Sequence, residues 1–299
     1  MELPLTQAGQ SGKPRIPKHQ PQTGPYERIP PHRLPPVVLV PFCKHPDHHM
    51  ATNTNQKLAV LIDADNAQAS VIQELLAEVS RYGTATIKRA YGDWTTTNLK
   101  SWKEVLHTMA IQPIQQFAYT SGKNATDSAL IIDAMDVLHA DSVDGFCLVS
   151  SDSDFTRLAT RIREAGLVVY GFGQRKTPEP FVAACDKFIY TEILRSEPEE
   201  TKPGQEPVAE LPKLKPMFFN ALNATVREDG WTTLSALGSQ ITRSNPSFDA
   251  RNYGVSKLGE LIRQQASYLE VKEVRSGEGD SIQTHLHVRR KAASPQKVS

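Results

Sequence analysis

Lys57-Leu-Ala-Val-Leu-Ile-Asp-Ala-Asp-Asn66 is the stretch on which the reading of this chain turns. Leu58 to Ile62 are apolar without interruption, so no face is left for water. Such a run fits a strand buried on both sides, as in a parallel sheet. Asp63, Asp65 and Asn66 follow at once. Functional groups in an open α/β sheet collect beyond the carboxyl ends of its strands, and this strand ends in acids.

Working outward, the pattern alternates. A helical stripe carries Val71, Leu75, Leu76 and Val79 and closes before Gly83. A strand is expected over 84–90, a helix over 98–109, a strand over 111–117 and a helix over 126–140. Strands at 146–150 and 167–171 enclose a helix at 155–165, and a helix at 180–185 precedes a last strand at 188–190. Alternation with short loops predicts an α/β domain, a parallel sheet flanked by helices, over residues 57–195.

The flanks differ in character. Residues 1–56 are rich in Pro, Gln, Lys and His, lack periodicity, and read as a disordered extension. Met50 looks like a natural start, and translation is expected to begin there. Cys43, His45, His48 and His49 lack the paired spacing of a zinc site and read as a His-rich tail. Residues 196–210 are Pro/Glu-rich and read as a flexible linker. Residues 211–291 then show three helices, near 212–226, 233–243 and 255–265, and two strand-like runs, 268–274 and 284–289. That order is the order of a small α+β winged helix; residues 292–299 read as a tail.

The chain's 299 residues allow two ordinary domains, and a net charge of +1 means that any nucleic-acid affinity must come from local patches. Three scattered cysteines form no disulfide framework, and no apolar run is long enough for a signal peptide or a membrane span. A cytoplasmic protein with no membrane partner is expected.

Four acids from three segments are expected to converge. Asp63 ends the first strand, and Asp152 and Asp154 follow the strand at 146–150. Asp127 opens the helix at 126–140 on the stripe of Leu130, Ile131, Ala134 and Leu138, which must face the sheet; Asp136 falls on the opposite side and Asp133 between. Carboxylates brought together repel unless a cation neutralises them, and hard oxygen donors suit Mg²⁺ or Mn²⁺. An ion so held can activate water against a phosphodiester. Other roles stand beside this one. Asp127 also suits the helix dipole with Thr126 as cap, Asp154 could cap the helix starting near Phe155, and Asn66 could orient water or cap the first helix. Asp65 reads as solvated.

The segments LIDADN (61–66), KNATDSALIIDAM (123–135) and VSSDSDF (149–155) resemble the signature stretches of the NYN family, relatives of PIN nucleases. That resemblance implies a PIN-like fold and Mg²⁺- or Mn²⁺-dependent RNA cleavage. It maps the site onto Asp63, Asp127, Asp152 and Asp154, with Asn66 and Asp133 as companions. The family's lysine usually stands three residues before the central Asp; here Lys123 stands four before Asp127, so it reads equally as a phosphate contact or a solvated loop residue.

The segment from Asp229 to Ile262 resembles the LOTUS (OST-HTH) winged-helix family, with Trp231, Leu234, Leu237, Gly238, Phe248, Asp249, Tyr253, Gly254, Leu258 and Leu261 in the expected order. The resemblance implies RNA binding or, in some members, docking to a protein partner. Candidate RNA contacts are Lys213, Lys215, Arg243, Arg251, Lys257 and Arg263, with the run Arg289-Arg290-Lys291, suited to backbone contacts that position RNA without reading bases. Held by a flexible linker, such a module would raise the RNA concentration at the nuclease. Three rival readings stand beside this one: a haloacid-dehalogenase-type phosphatase, since Asp63-Ala-Asp65 imitates its acid pair; a non-catalytic RNA-binding protein with a vestigial site; and nucleotide binding at Gly171-Phe-Gly173, which rests on a lone GxG.

Overall fold

The computed structural model describes residues 56–117, 125–195, 211–226, 228–276 and 283–291. Met50, the tail cluster Cys43, His45, His48 and His49, Lys123, the linker at 196–210 and the tail from 292 lie outside the described residues.

Six strands, β1 (Lys57–Asp63), β2 (Thr84–Gly92), β3 (Gln112–Gln115), β4 (Gly145–Val149), β5 (Val168–Gly173) and β6 (Lys187–Tyr190), form one sheet in the order β3-β2-β1-β4-β5-β6. All five pairings are parallel. β1 lies at the centre because its apolar run has two faces to bury. Leu58, Val60 and Ile62 pack with α1 (Ile72–Val79) and α2 (Trp102–Thr108). Ala59 and Leu61 pack on the other face with α3 (Ala125–His139), α4 (Thr156–Glu164) and α5 (Glu179–Ala184). The order runs one way from β1 to β2 and the other way to β4, which makes their carboxyl ends the topological switch point. Pro113, which has no N–H to offer a ladder, sits on the edge strand β3.

The C-terminal module places α6 (Leu214–Thr225), α7 (Leu234–Ser244) and α8 (Leu258–Gln264) against an antiparallel sheet in the order β7-β9-β8, formed by β7 (Thr232–Thr233), β8 (Leu269–Ser276) and β9 (Gln283–Arg290). Thr233 caps α7 by accepting from the Ala236 N–H. Two elements differ from the sequence reading. β7 has only two residues, too short for periodicity to reveal, and pairs with β9. A 3-10 turn, Ala250–Tyr253, which the sequence reading did not include, precedes the third helix and is ended by Gly254 at φ 79°, a left-handed conformation that glycine adopts without penalty.

The module packs on the outer edge of β6. The Phe188 N–H donates to the Pro246 carbonyl at 2.9 Å, and Arg251 reaches Glu78 of α1 through two bonds of 2.9 Å. Beside them Lys187 Nζ lies 5.0 Å from the centre of the Tyr82 ring, which itself stacks on Tyr170. These contacts change the expectation of a module held only by its linker. The edge of β6, otherwise a row of unpaired backbone groups, is covered by its own chain.

Candidate metal centre

Asp63 is the last residue of β1 and is 1% exposed. Its carboxylate accepts from Asn66 Nδ2 at 2.7 Å and from Ser150 Oγ at 2.8 Å, with a longer bond of 3.3 Å from the Asn66 N–H. Burial raises its pKa, and the hydrogen bonds from Asn66 and Ser150 only partly oppose this. Asn66 therefore locks Asp63 and does not cap a helix; the following 3-10 turn, Ala69–Val71, has Gln68 at its N-cap.

Ser150 continues β4 by one buried residue and joins two acids. Besides donating to Asp63, its oxygen accepts from the Asp152 N–H at 3.1 Å. Asp152 in turn accepts from the Asp154 N–H at 2.9 Å and so caps the 3-10 turn Ser153–Phe155 that leads into α4. The capping role expected of Asp154 thus belongs to Asp152. That cap uses one carboxylate oxygen of two.

Asp127 points inward from the first turn of α3, as the helical angles require; Leu130, Ala134 and Leu138 below it are buried. Oxygens of Asp127, Asp152 and Asp154 lie within 4.8 Å of one another. Asp63 is outside that set of three but close enough for its charge to act on Asp127. Burial first, then the charges of Asp63, Asp152, Asp154 and Asp65, push Asp127 up to about 6. A bound cation would relieve both the burial and the like charges that oppose ionisation of Asp127. Three hard oxygen donors at this spacing could hold a divalent cation.

The other candidates are placed as follows. Asp136 is exposed, as expected. Asp133 accepts from Tyr91 Oη at 2.9 Å and from Arg89 at 3.0 Å, so it ties α3 to β2 away from the three acids. Lys213, Arg243 and Lys257 are exposed. Lys215 Nζ lies 5.5 Å from the Tyr268 ring, and Arg263 pairs with Glu273 at 3.0 Å. Arg251 is committed to Glu78 and Asp249, so the free cation expected there is consumed by the fold. One basic residue went unread: Lys272, on the outer face of the small sheet, lies 4.2 Å from the ring centre of Trp231, beside Arg289 at 4.4 Å. Its signal was the alternation of β8 and β9, which sets Lys272 opposite His287 and Glu270 opposite Arg289.

Comparison with known proteins adds the following. Residues 57–194 match the NYN domain, and residues 209–280 match the OST-HTH/LOTUS domain. No curated protein matches the chain. Among solved structures, a Vibrio parahaemolyticus protein of unknown function is 19% identical with a TM-score of 0.39, covering 46% of this chain and 93% of its own. An uncharacterised Nitrosomonas europaea protein is 24% identical with a TM-score of 0.25, covering 33% of this chain and 93% of its own. No helix among the described residues is long and apolar enough to cross a membrane. The chain carries an NYN domain, of the PIN-like nuclease superfamily, followed by an OST-HTH/LOTUS domain.

Proposed function

We propose that this protein is a divalent-metal-dependent ribonuclease that hydrolyses RNA phosphodiester bonds. The observation that carries the reading is the convergence of Asp127, Asp152 and Asp154 within 4.8 Å at the switch point of an NYN sheet. Asp127, Asp152 and Asp154 would hold Mg²⁺ or Mn²⁺. When bound, such an ion supplies water activated near neutral pH and positive charge against the phosphate oxygens. Asp63 stands behind the three, and its carboxyl acts on Asp127. The Ser150 and Asn66 donors hold its carboxylate in one orientation, and Ser150 passes the same order on to Asp152. Preorganised charge of this kind needs no rearrangement during reaction.

The LOTUS domain supplies RNA affinity in this reading. Lys213, Lys215, Arg243 and Lys257 remain as candidate contacts, and the cations over Trp231 extend them. Purified protein with labelled RNA tests the reading. Cleavage is expected with added Mn²⁺ or Mg²⁺ and none with a chelator. RNA bound but left whole under both conditions would make the chain a binding protein with a vestigial site.

A further inference from the structure

A groove of about 370 Å³ lies apart from the acids, lined by Trp94, Lys103, Leu106, His107, Ile111 and Pro113. Ligand sites begin at roughly 300 Å³, so a volume of this order holds a nucleotide and not a larger cofactor. One wall is α2 and the other the edge of the sheet at β3. Trp94 is fixed there at both of its N–H groups: its backbone donates to Gln115 at 3.0 Å and its indole to the Ile114 carbonyl at 2.9 Å. The edge of Trp102 supports it, ring centres 6.5 Å apart. A ring held this way loses little entropy when something stacks on it.

Trp94 sets one end of the groove at the carboxyl rim of the sheet. Trp94 follows the end of β2 by two residues, and a Cβ on Gly92 would lie 3.6 Å from the Asp65 carboxylate, itself two residues from Asp63. On the same rim, just beyond β3, Phe117 leaves 49% of its surface exposed. The cations are ordered too. Lys100, Lys103 and His107 are all exposed and spaced three and four residues apart, on one stripe of α2 and the turn before it. The acidic centre itself repels phosphate, so a strand reaching it needs cations close by. An apolar slot with one fixed indole and cations at its lip matches a base and the phosphates beside it.

We propose that this groove binds one nucleotide of single-stranded RNA adjacent to the scissile bond, its base stacked on Trp94 and its phosphates held by Lys103 and His107. The inference rests on the ribonuclease reading for the identity of the strand. Its occupant is a nucleotide and not a peptide, because the slot pairs a fixed indole for stacking with the Lys103 cation and the His107 ring at its lip.

The test is binding, without metal, of the full chain to a fluorescent single-stranded RNA, so that cleavage plays no part. The variants are Lys103→Glu with His107→Glu, both exposed, and Trp94→Phe, which keeps an aromatic ring. The charge-reversed protein is expected to keep its melting temperature, bind about tenfold more weakly and show a shallower salt dependence. RNA should quench tryptophan fluorescence in wild type and lose most of that quenching in Trp94→Phe. Wild-type affinity and salt slope in the double variant, quenching unaltered in Trp94→Phe, or no RNA binding by wild type would each overturn the groove. The two readings separate cleanly. Groove-dependent binding without cleavage would sink the nuclease alone; metal-dependent cleavage with groove-independent binding would sink the groove alone.

Discussion

Arg251 and Glu78, 173 residues apart in the chain, meet in a bidentate ion pair with both bonds at 2.9 Å. Glu78 is 5% exposed and also accepts from Arg81 and from Tyr82. The pair joins the LOTUS domain to the NYN domain through a charge that has little access to water. Removing one partner of a buried pair leaves the other uncompensated, at a cost of roughly 3–5 kcal/mol. Arg251→Ala should fall near the low end, because Arg81 and Tyr82 remain. Urea unfolding should show this loss, with the two domains melting in one transition in wild type. Separate transitions in wild type would show that the contact does not couple them.

The same pair sets a pH dependence. Burial alone would raise the Glu78 carboxyl, but hydrogen bonds from Arg251, Tyr82 and Arg81, with the Arg251 charge, bring it down to about 2. The folded value lies below the ordinary 4.5, so its contribution is whole above about pH 4.5 and vanishes as pH falls toward 2. The stability advantage of wild type over Glu78→Gln should therefore shrink between pH 6 and pH 3. An advantage that stays constant or grows over that range would contradict the pairing.

Deletion of the LOTUS domain is for the same reason a poor test of tethering. It strips Glu78 of Arg251 and uncovers the β6 edge at Phe188. The truncated NYN domain should be less stable and more prone to aggregate than the full chain, by light scattering on heating. Equal behaviour of the two proteins would mean that the docking contributes nothing.

Ser150→Ala removes a donor that fixes Asp63 and an acceptor that places Asp152. Losing a group that orients a metal ligand typically costs about 10–100-fold in metal affinity or activity. That loss should appear with little change in melting temperature, since the hydroxyl lies at the end of the strand and not in the apolar core. Full activity in Ser150→Ala would remove Ser150 from the site.

Much of this was legible in the residues, for physical reasons that can be named. The run Leu58–Ile62 has no polar position, so a central parallel strand was its one good solution, and the acids after it fell at the rim. Asp127 could be aimed inward because Leu130, Ala134 and Leu138 fix the buried side of α3. Glu78 carried a signal that periodicity alone does not interpret. It stands three residues after Leu75, on the buried stripe of α1, where an acid needs a partner. Nothing local says that the partner is Arg251. The groove at Trp94 was equally hidden, because its walls come from α2 and β3 and its volume exists only once they pack. Ser150 was overlooked among the acids beside it, although every residue of β4 before it is buried.

Metal binding can be followed without substrate. An ion that binds only the folded protein raises its melting temperature. Mn²⁺ should do so in wild type by several degrees, at about 2–4 °C per kcal/mol of binding for a protein of this size, and should not in Asp127→Asn. An equal rise in both would place the ion elsewhere.

The central claim meets its most direct test in RNA cleavage by Asp152→Asn, compared with wild type at saturating Mn²⁺. Asparagine keeps the side-chain oxygen that caps Ser153–Phe155, so the fold should persist while a charged ligand is lost. Cleavage is expected to fall by at least about 100-fold, equivalent to roughly 2.7 kcal/mol of barrier. A folded Asp152→Asn protein cutting RNA at the wild-type rate would contradict the account.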